Sequence, residues 1–235
     1  MKRRTAFAAR AAGAAALLLL AGAARAQLAP DSARLVAKLA LTPLISHAYE
    51  GQAEYRWARR FSFTLAPQVV AGPVPFGVSP QANAAGDRVN GYGAGLGLRC
   101  YLPNSGTEGT GLAGLYVGLR ADYQHLRLAY QQDAWGEDAA PDGLRYYTYR
   151  PRDFGETIVR VGAAATLGYQ CQVFHPRLRL DASASRHLLR SRPEAGEASR
   201  YRTSPADYGA SGAFWSLGLG LGWVLRQGKA VGQPL

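Results

Sequence analysis

The segment Phe214-Trp215-Ser216-Leu217-Gly218-Leu219-Gly220-Leu221-Gly222-Trp223-Val224-Leu225 leaves few folds open. Alternate residues of a strand point to opposite faces. Here one face is Trp215, Leu217, Leu219, Leu221, Trp223 and Leu225. The other is Phe214, Ser216, three glycines and Val224. One side is continuously bulky and apolar, the other mostly small. The two tryptophans are spaced to span roughly 20 Å of membrane normal, at about 3.3 Å per residue and a tilt near 40°. A barrel wall in contact with lipid needs such a surface: an apolar band edged above and below by aromatics.

The same alternation recurs in seven earlier segments: 34–44, 48–57, 60–71, 89–102, 112–130, 156–173 and 177–189. No amphipathic helical period competes with it. In 89–102, Tyr92, Ala94, Leu96, Leu98 and Cys100 alternate with Gly93, Gly95, Gly97, Arg99 and Tyr101. Glycine weakens a soluble strand. On the inner wall of a narrow barrel it leaves room for a large neighbour. The expected fold class is therefore all-β: an eight-stranded antiparallel up-and-down transmembrane β-barrel with a polar lumen.

Connection lengths agree with that topology. Segments 58–59, 103–111 and 174–176 are short to moderate and would be periplasmic turns. Segments 72–88, 131–155 and 190–209 are long and would be outer loops, with a short one at 45–47. At the start of the chain, Lys2, Arg3 and Arg4 precede an apolar run from Ala11 to Ala21, and then Ala24-Arg25-Ala26. This is the pattern of a cleaved secretory signal. Residues 1–26 are read as signal peptide, 27–226 as barrel and 227–235 as a C-terminal tail. The expected location is the outer membrane, after signal-dependent export.

The formal net charge is +11, from 27 basic and 16 acidic residues. Five of the basic residues and none of the acids lie in the leader, so residues 27–235 carry 22 against 16, or +6. With no clustered basic stripe interleaved with aromatics, nucleic acid is excluded as a partner. Surface charge on an exported barrel is expected to be solvated loop charge or to face the anionic lipid and lipopolysaccharide phosphates of the outer leaflet. Cys100 and Cys171 fall on outward-facing positions of strands separated by another strand, roughly 10 Å apart. That exceeds disulfide reach, so two free, lipid-facing thiols are expected.

Three stretches resemble a family of small eight-stranded outer-membrane barrels of Gram-negative bacteria, largely of unknown function. The first is Leu39-Ala40-Leu41-Thr42-Pro43-Leu44 with Tyr49-Glu50. The second combines Gly91-Tyr92-Gly93, Arg99-Cys100-Tyr101-Leu102, Leu115-Tyr116-Val117-Gly118 and Tyr123-Gln124-His125-Leu126. The third is Gly168-Tyr169-Gln170 with Leu180-Asp181. The resemblance implies an outer-membrane barrel inserted by the barrel-assembly machinery, and it implies no activity. Many such barrels end on an aromatic residue. This chain ends in Pro234-Leu235, which leaves Trp223 or Leu225 for that signal.

The inward-facing set collects Lys38, Glu50, Glu54, Arg56, Arg99, Arg120, Asp122, Arg160, Arg179 and Asp181. Isolated buried charge costs several kcal/mol, so these groups are expected to pair into a polar network that fills the lumen. A narrow ion path lined by the same groups is the alternative. Trp57, Trp215 and Trp223 are the expected lipid-facing girdle. The third outer loop, rich in tyrosine, tryptophan and arginine, could meet a surface ligand. A lipid A-modifying enzyme would need a nucleophile, a base and an orienting acid. Ser46-His47 and Ser185-Arg186-His187 are poor fits, because neither presents all three groups on one face. A soluble lipocalin-like binder would turn its apolar face inward, the reverse of the pattern here. The expectation is a non-enzymatic barrel with no cofactor and no metal, acting structurally or through its outer loops.

Overall fold

The computed structural model describes residues 33–74, 87–102, 112–139, 143–194 and 208–227. Eight antiparallel strands follow one another around a closed barrel: β1 (Ala33–Ala40), β2 (Ala48–Arg56), β3 (Phe61–Pro73), β4 (Arg88–Tyr101), β5 (Gly114–Ala139), β6 (Arg145–Gln172), β7 (Leu178–Pro193) and β8 (Gly212–Gln227). Every strand pairs with the next, and β8 pairs back onto β1. The fold class read from alternation is the one observed.

Register sets the shape of the cylinder. The ladder of paired residues runs from Ala37 through Ala53, Leu65, Leu96, Ala121, Ala163 and Leu188 to Ala213. Across the closing seam Ala37 pairs with Trp223, ten residues further along β8 than Ala213. A stagger of that size in eight strands tilts them by about 40° and leaves an interior just wide enough for side chains. The outward face is the apolar one: Leu65, Leu96, Leu98, Leu119, Leu167, Leu217 and Leu221 are all exposed on the barrel wall. A cavity-binding lipocalin arrangement is thereby excluded.

Converting register to height, with about 3.3 Å per residue and a tilt near 40°, gives an apolar band about 25 Å tall. Trp57, Phe61 and Trp223 mark its lower edge, on the side of both chain ends. Trp215, Tyr92 and Tyr123 mark the upper edge. All six are exposed on the wall.

Four boundaries differ from those read in the sequence. The first strand stops at Ala40, and a short 3-10 helix, Thr42–Ser46, follows. Pro43 in its first turn lacks the N–H that a ladder needs. Here the Thr42 hydroxyl instead accepts the Leu219 amide at 2.9 Å. The segment 131–155, expected to be an outer loop, is mostly strand. β5 and β6 stay paired from Gly114↔Gln170 to Ala139↔Arg145, well beyond the apolar band. β7 continues to Pro193 rather than ending at Leu189. Gln227 belongs to β8 rather than to a tail. The proposed signal peptide, the turn 103–111 and residues 228–235 lie outside the described residues.

The cysteines differ in part. Both are free. Cys100 is half-buried, but Cys171 is buried rather than open to lipid. It sits low on β6, beside Leu180 of β7.

Candidate functional site: the lumen

The lumen is built in layers. Lowest is an apolar plug of Ala33, Val36, Leu112 and Val224, on which Tyr101 and Tyr116 pack. Directly above, inward positions of β1, β2, β4 and β7 bring Lys38, Glu54, Arg99 and Asp181 together near one height. The Lys38 ammonium lies 2.5 Å from Glu54 and 2.6 Å from Asp181. The Arg99 guanidinium lies 2.7 Å from Asp181 and 3.3 Å from Glu54. Two cations and two anions thus cross the barrel and cancel.

The remaining acceptor sites of this layer are also filled. Ser62 and Tyr101 donate to Glu54 at 2.5 and 2.7 Å, and Tyr116 donates to Asp181 at 2.7 Å. Lys38 also donates to Gln170, whose amide donates to the Leu112 carbonyl at 2.5 Å. Arg99 lies over the Tyr116 ring, 4.3 Å from its centre, a cation–π contact. Low dielectric strengthens such a network only when every member is satisfied, and these four charges meet that condition.

Glycine spacing makes the crossing possible. A Cβ at Gly168 would run into the Tyr116 ring and hydroxyl, and one at Gly95 would lie 2.5 Å from the Arg120 Nε. The glycines of the inner wall are where opposing large side chains reach into the lumen.

A second polar layer lies about 10 Å higher by register. Arg120 grips Glu50 with two hydrogen bonds, at 2.7 and 2.8 Å, and donates to Asp122 at 2.6 Å. Gln124 donates to Gln68 at 2.6 Å. Around and above this layer the lumen is not filled. A cavity of about 380 Å³ remains, lined by Glu50, Gln68, Arg120, Arg160, Ser185 and His187 among others. Toward the outer end, inward-facing side chains form an apolar cluster of Val70, Val74, Val89, Leu126, Leu128 and Ile158 with Tyr208.

Three of the ten charges read as lumen pairs behave differently. Arg160 is buried but has no carboxylate partner among the described residues, and its Nε is without a hydrogen bond. Arg179 bonds Gln172 at 3.1 Å and the Pro176 carbonyl at 3.0 Å, tying down the turn into β7 instead of joining the central layer. Arg56 is half-buried at the lower end of β2. The sequence marked all three as inward-facing. It did not mark how far each stands from the nearest acid.

Sequence reading missed Tyr101, Tyr116, Ser62 and Gln170, the neutral partners that saturate the lower layer. Their inward parity is visible in the sequence, but they carry no charge to single them out. The histidine–serine pair also differs. His187 Nε2 and Ser216 Oγ share a hydrogen bond at 2.7 Å, with the His187 ring stacked on Phe214, while Ser185 bonds Thr166 at 2.8 Å. Among the described residues no carboxylate is hydrogen-bonded to the other His187 nitrogen. The Ser46 side chain is outside the described set. Above the apolar band, Tyr208 is buried within the outer cluster, and burial pushes its phenol up to about 12.

The extended hairpin carries its own exposed chemistry. Asp138 accepts from Arg150 at 2.7 Å, from Arg152 at 3.1 Å and from the Thr148 hydroxyl. These contacts, the Thr148 bond foremost, hold its carboxyl below the ordinary range. Trp135 packs on Tyr149, and Tyr130 on Phe154. Cross-strand pairs of this kind stabilise a two-stranded ribbon.

Together these features define a small closed β-barrel with an apolar outer wall and a charged interior that is blocked low in the barrel. Among solved structures, the chain is similar to the N-terminal β-barrel domain of Pseudomonas aeruginosa OprF, at 13% identity and TM-score 0.34, covering 82% of this chain and 97% of that one. It is also similar to Acinetobacter baumannii CarO, at 12% identity and TM-score 0.35, covering 84% and 99%. No family model matches the chain, and no curated protein does. The strand count and closure rest on this chain's own registers.

Proposed function

We propose that this chain is an integral outer-membrane β-barrel protein with a sealed lumen, without enzymatic activity, that acts through its wall and its outer hairpin. Export on the leader at residues 1–26 and insertion by the barrel-assembly machinery belong to the same reading. The supporting observation for the membrane is the wall: an apolar band about 25 Å tall with aromatics at both edges and strand connections on two opposite sides. The supporting observation for the seal is the layer of Lys38, Glu54, Arg99 and Asp181, which bridges four strands above an apolar plug. Among the described residues the His187–Ser216 pair has no carboxylate on the other His187 nitrogen to orient it, which argues against hydrolysis of a lipid.

Two measurements test this reading. The chain should fractionate with outer membranes and migrate differently before and after boiling, as a stable barrel does. In planar bilayers the wild-type protein should pass no unitary current, whereas Arg99→Ala combined with Lys38→Ala should open a leak. A steady channel from the wild type would replace the sealed barrel with a pore. That second reading draws on the 380 Å³ cavity, which already hollows the middle of the lumen.

A further inference from the structure

The outer wall carries a feature that neither the lumen nor the hairpin explains. On β4, β5 and β7, outward positions above the upper aromatic edge carry Arg88, Arg127, Arg190 and Arg192, all exposed. Register relates them closely. Arg88 pairs with Ala129, two residues from Arg127 on the same face, and Arg192 pairs with Val159, two residues from the Thr157 that faces Arg127. Arg88, Arg127 and Arg192 therefore fall within about 2 Å of one height, roughly 10 Å above the aromatic edge. None of the four arginines has an ion pair among the described residues. The acid beside them, Glu194, lies 3.6 Å from His125 on the same patch.

About 10 Å lower on the same face, within the apolar band, the wall is grooved. Ala121, Ala163 and Ala165 form a low floor on β5 and β6, between Phe63 and Leu119 on one side and Leu188 on the other. Arg186, at the upper part of the groove, lies over the Trp215 ring, 5.4 Å from its centre. The groove runs down the wall for most of the upper half of the apolar band. Small side chains on a lipid-facing surface leave room for an extended acyl chain, and a row of free guanidiniums above them suits phosphate.

We propose that this face binds lipopolysaccharide, with a lipid A acyl chain lying in the alanine groove and a lipid A phosphate held by Arg127, Arg190 and Arg192. The proposal rests on the outer-membrane reading given above and names the partner of the wall. Two features separate this occupant from a bulk phospholipid. Three exposed arginines, Arg88, Arg127 and Arg192, stand near one height on β4, β5 and β7, and the alanine groove lies about 10 Å below them on the same face of the wall. A glycolipid carrying several chains and more than one phosphate uses both at once.

The test titrates detergent-solubilised full-length barrel with lipopolysaccharide, and in parallel with phosphatidylglycerol. The wild type should bind lipopolysaccharide more tightly. The double variant Arg127→Ser/Arg192→Ser should bind it roughly thirtyfold more weakly. Ala163→Phe, which fills the groove, should weaken intact lipopolysaccharide but leave binding of its deacylated form unchanged. Arg145→Ser, which removes a charge from the distant hairpin tip, should have no effect. Equal binding by the wild type and the double variant overturns the site, as does equal affinity for phosphatidylglycerol. Heat-modifiable migration and fractionation run alongside keep the two levels apart. A folded outer-membrane barrel indifferent to these substitutions sinks the site alone. A chain found outside the outer membrane sinks the membrane reading and the site with it.

Discussion

The lower and upper halves of the lumen use the same residue types to opposite effect. In the lower half, two cations and two anions meet within 3.3 Å, and tyrosine, serine and glutamine close the remaining valences. In the upper half, Arg160 Nε, both Glu156 carboxylate oxygens and the Tyr208 hydroxyl are buried without a hydrogen-bond partner among the described residues. A cavity lies between the two halves. Passage is therefore blocked chiefly low in the barrel, where ion pairs and apolar plug coincide. Burial makes a charge costly, and only complete pairing turns it into a brace.

The largest expected effect breaks the lower layer. Lys38→Met leaves Glu54 and Asp181 with one guanidinium between them, and removing one partner of such a buried set costs about 3–5 kcal/mol. Urea unfolding of the barrel in lipid vesicles should show that loss. An unchanged midpoint would mean that the layer is not a brace. Next comes the wall around it. Leu219→Arg places a charge in the apolar band and should cost about 2–4 kcal/mol. Its inward neighbour Gly220 has only ordinary contacts around a built Cβ, 3.5 Å from the Leu39 carbonyl at nearest, so Gly220→Ser should be mild. Similar losses at both positions would reverse the facing assignment.

Gly168→Val should cost about 1–3 kcal/mol by overpacking against Tyr116, and a smaller side chain at 116 should recover part of that loss. In the upper half, Arg160→Gln should change stability by less than about 1 kcal/mol, because it relieves an unpaired charge as well as removing contacts. A loss as large as that of Lys38→Met would erase the contrast between the halves.

The smallest effect is on the hairpin. The Asp138 carboxyl is depressed in the folded protein, so its support is present above the ordinary aspartate value near 4. That support fades as pH falls through the lower folded value. Acidification, or Asp138→Asn at neutral pH, should raise the rate of proteolytic nicking at residues 131–155 without moving the unfolding midpoint of the barrel. The exposed pairs there contribute little to global stability.

Particular elements show how much could be read in advance. The wall was legible because lipid imposes one uniform demand: every second residue of β8 from Trp215 to Leu225 must be apolar, whatever its neighbours are. The lower layer was half legible. Parity put Lys38, Glu54, Arg99 and Asp181 inside, but parity is one-dimensional and does not tell which residues on different strands share a height. The hairpin beyond the membrane was not legible. Both faces of 131–155 meet water, so no apolar alternation marks its strands, and pairing with the already ordered β5–β6 ladder extends them.

Amino-acid order alone therefore determined the solvent of each face, the number of strands and the direction of each charge, since these follow from a two-residue period and the cost of polar groups in hydrocarbon. The tertiary structure decided which charges meet, where the lumen is blocked and where it is hollow. The reason is the ten-residue stagger of the closed sheet, which sets the relative height of residues on strands far apart in the chain. That stagger brings Lys38 and Arg99 to the same two carboxylates and, among the described residues, leaves Arg160 without an ion pair.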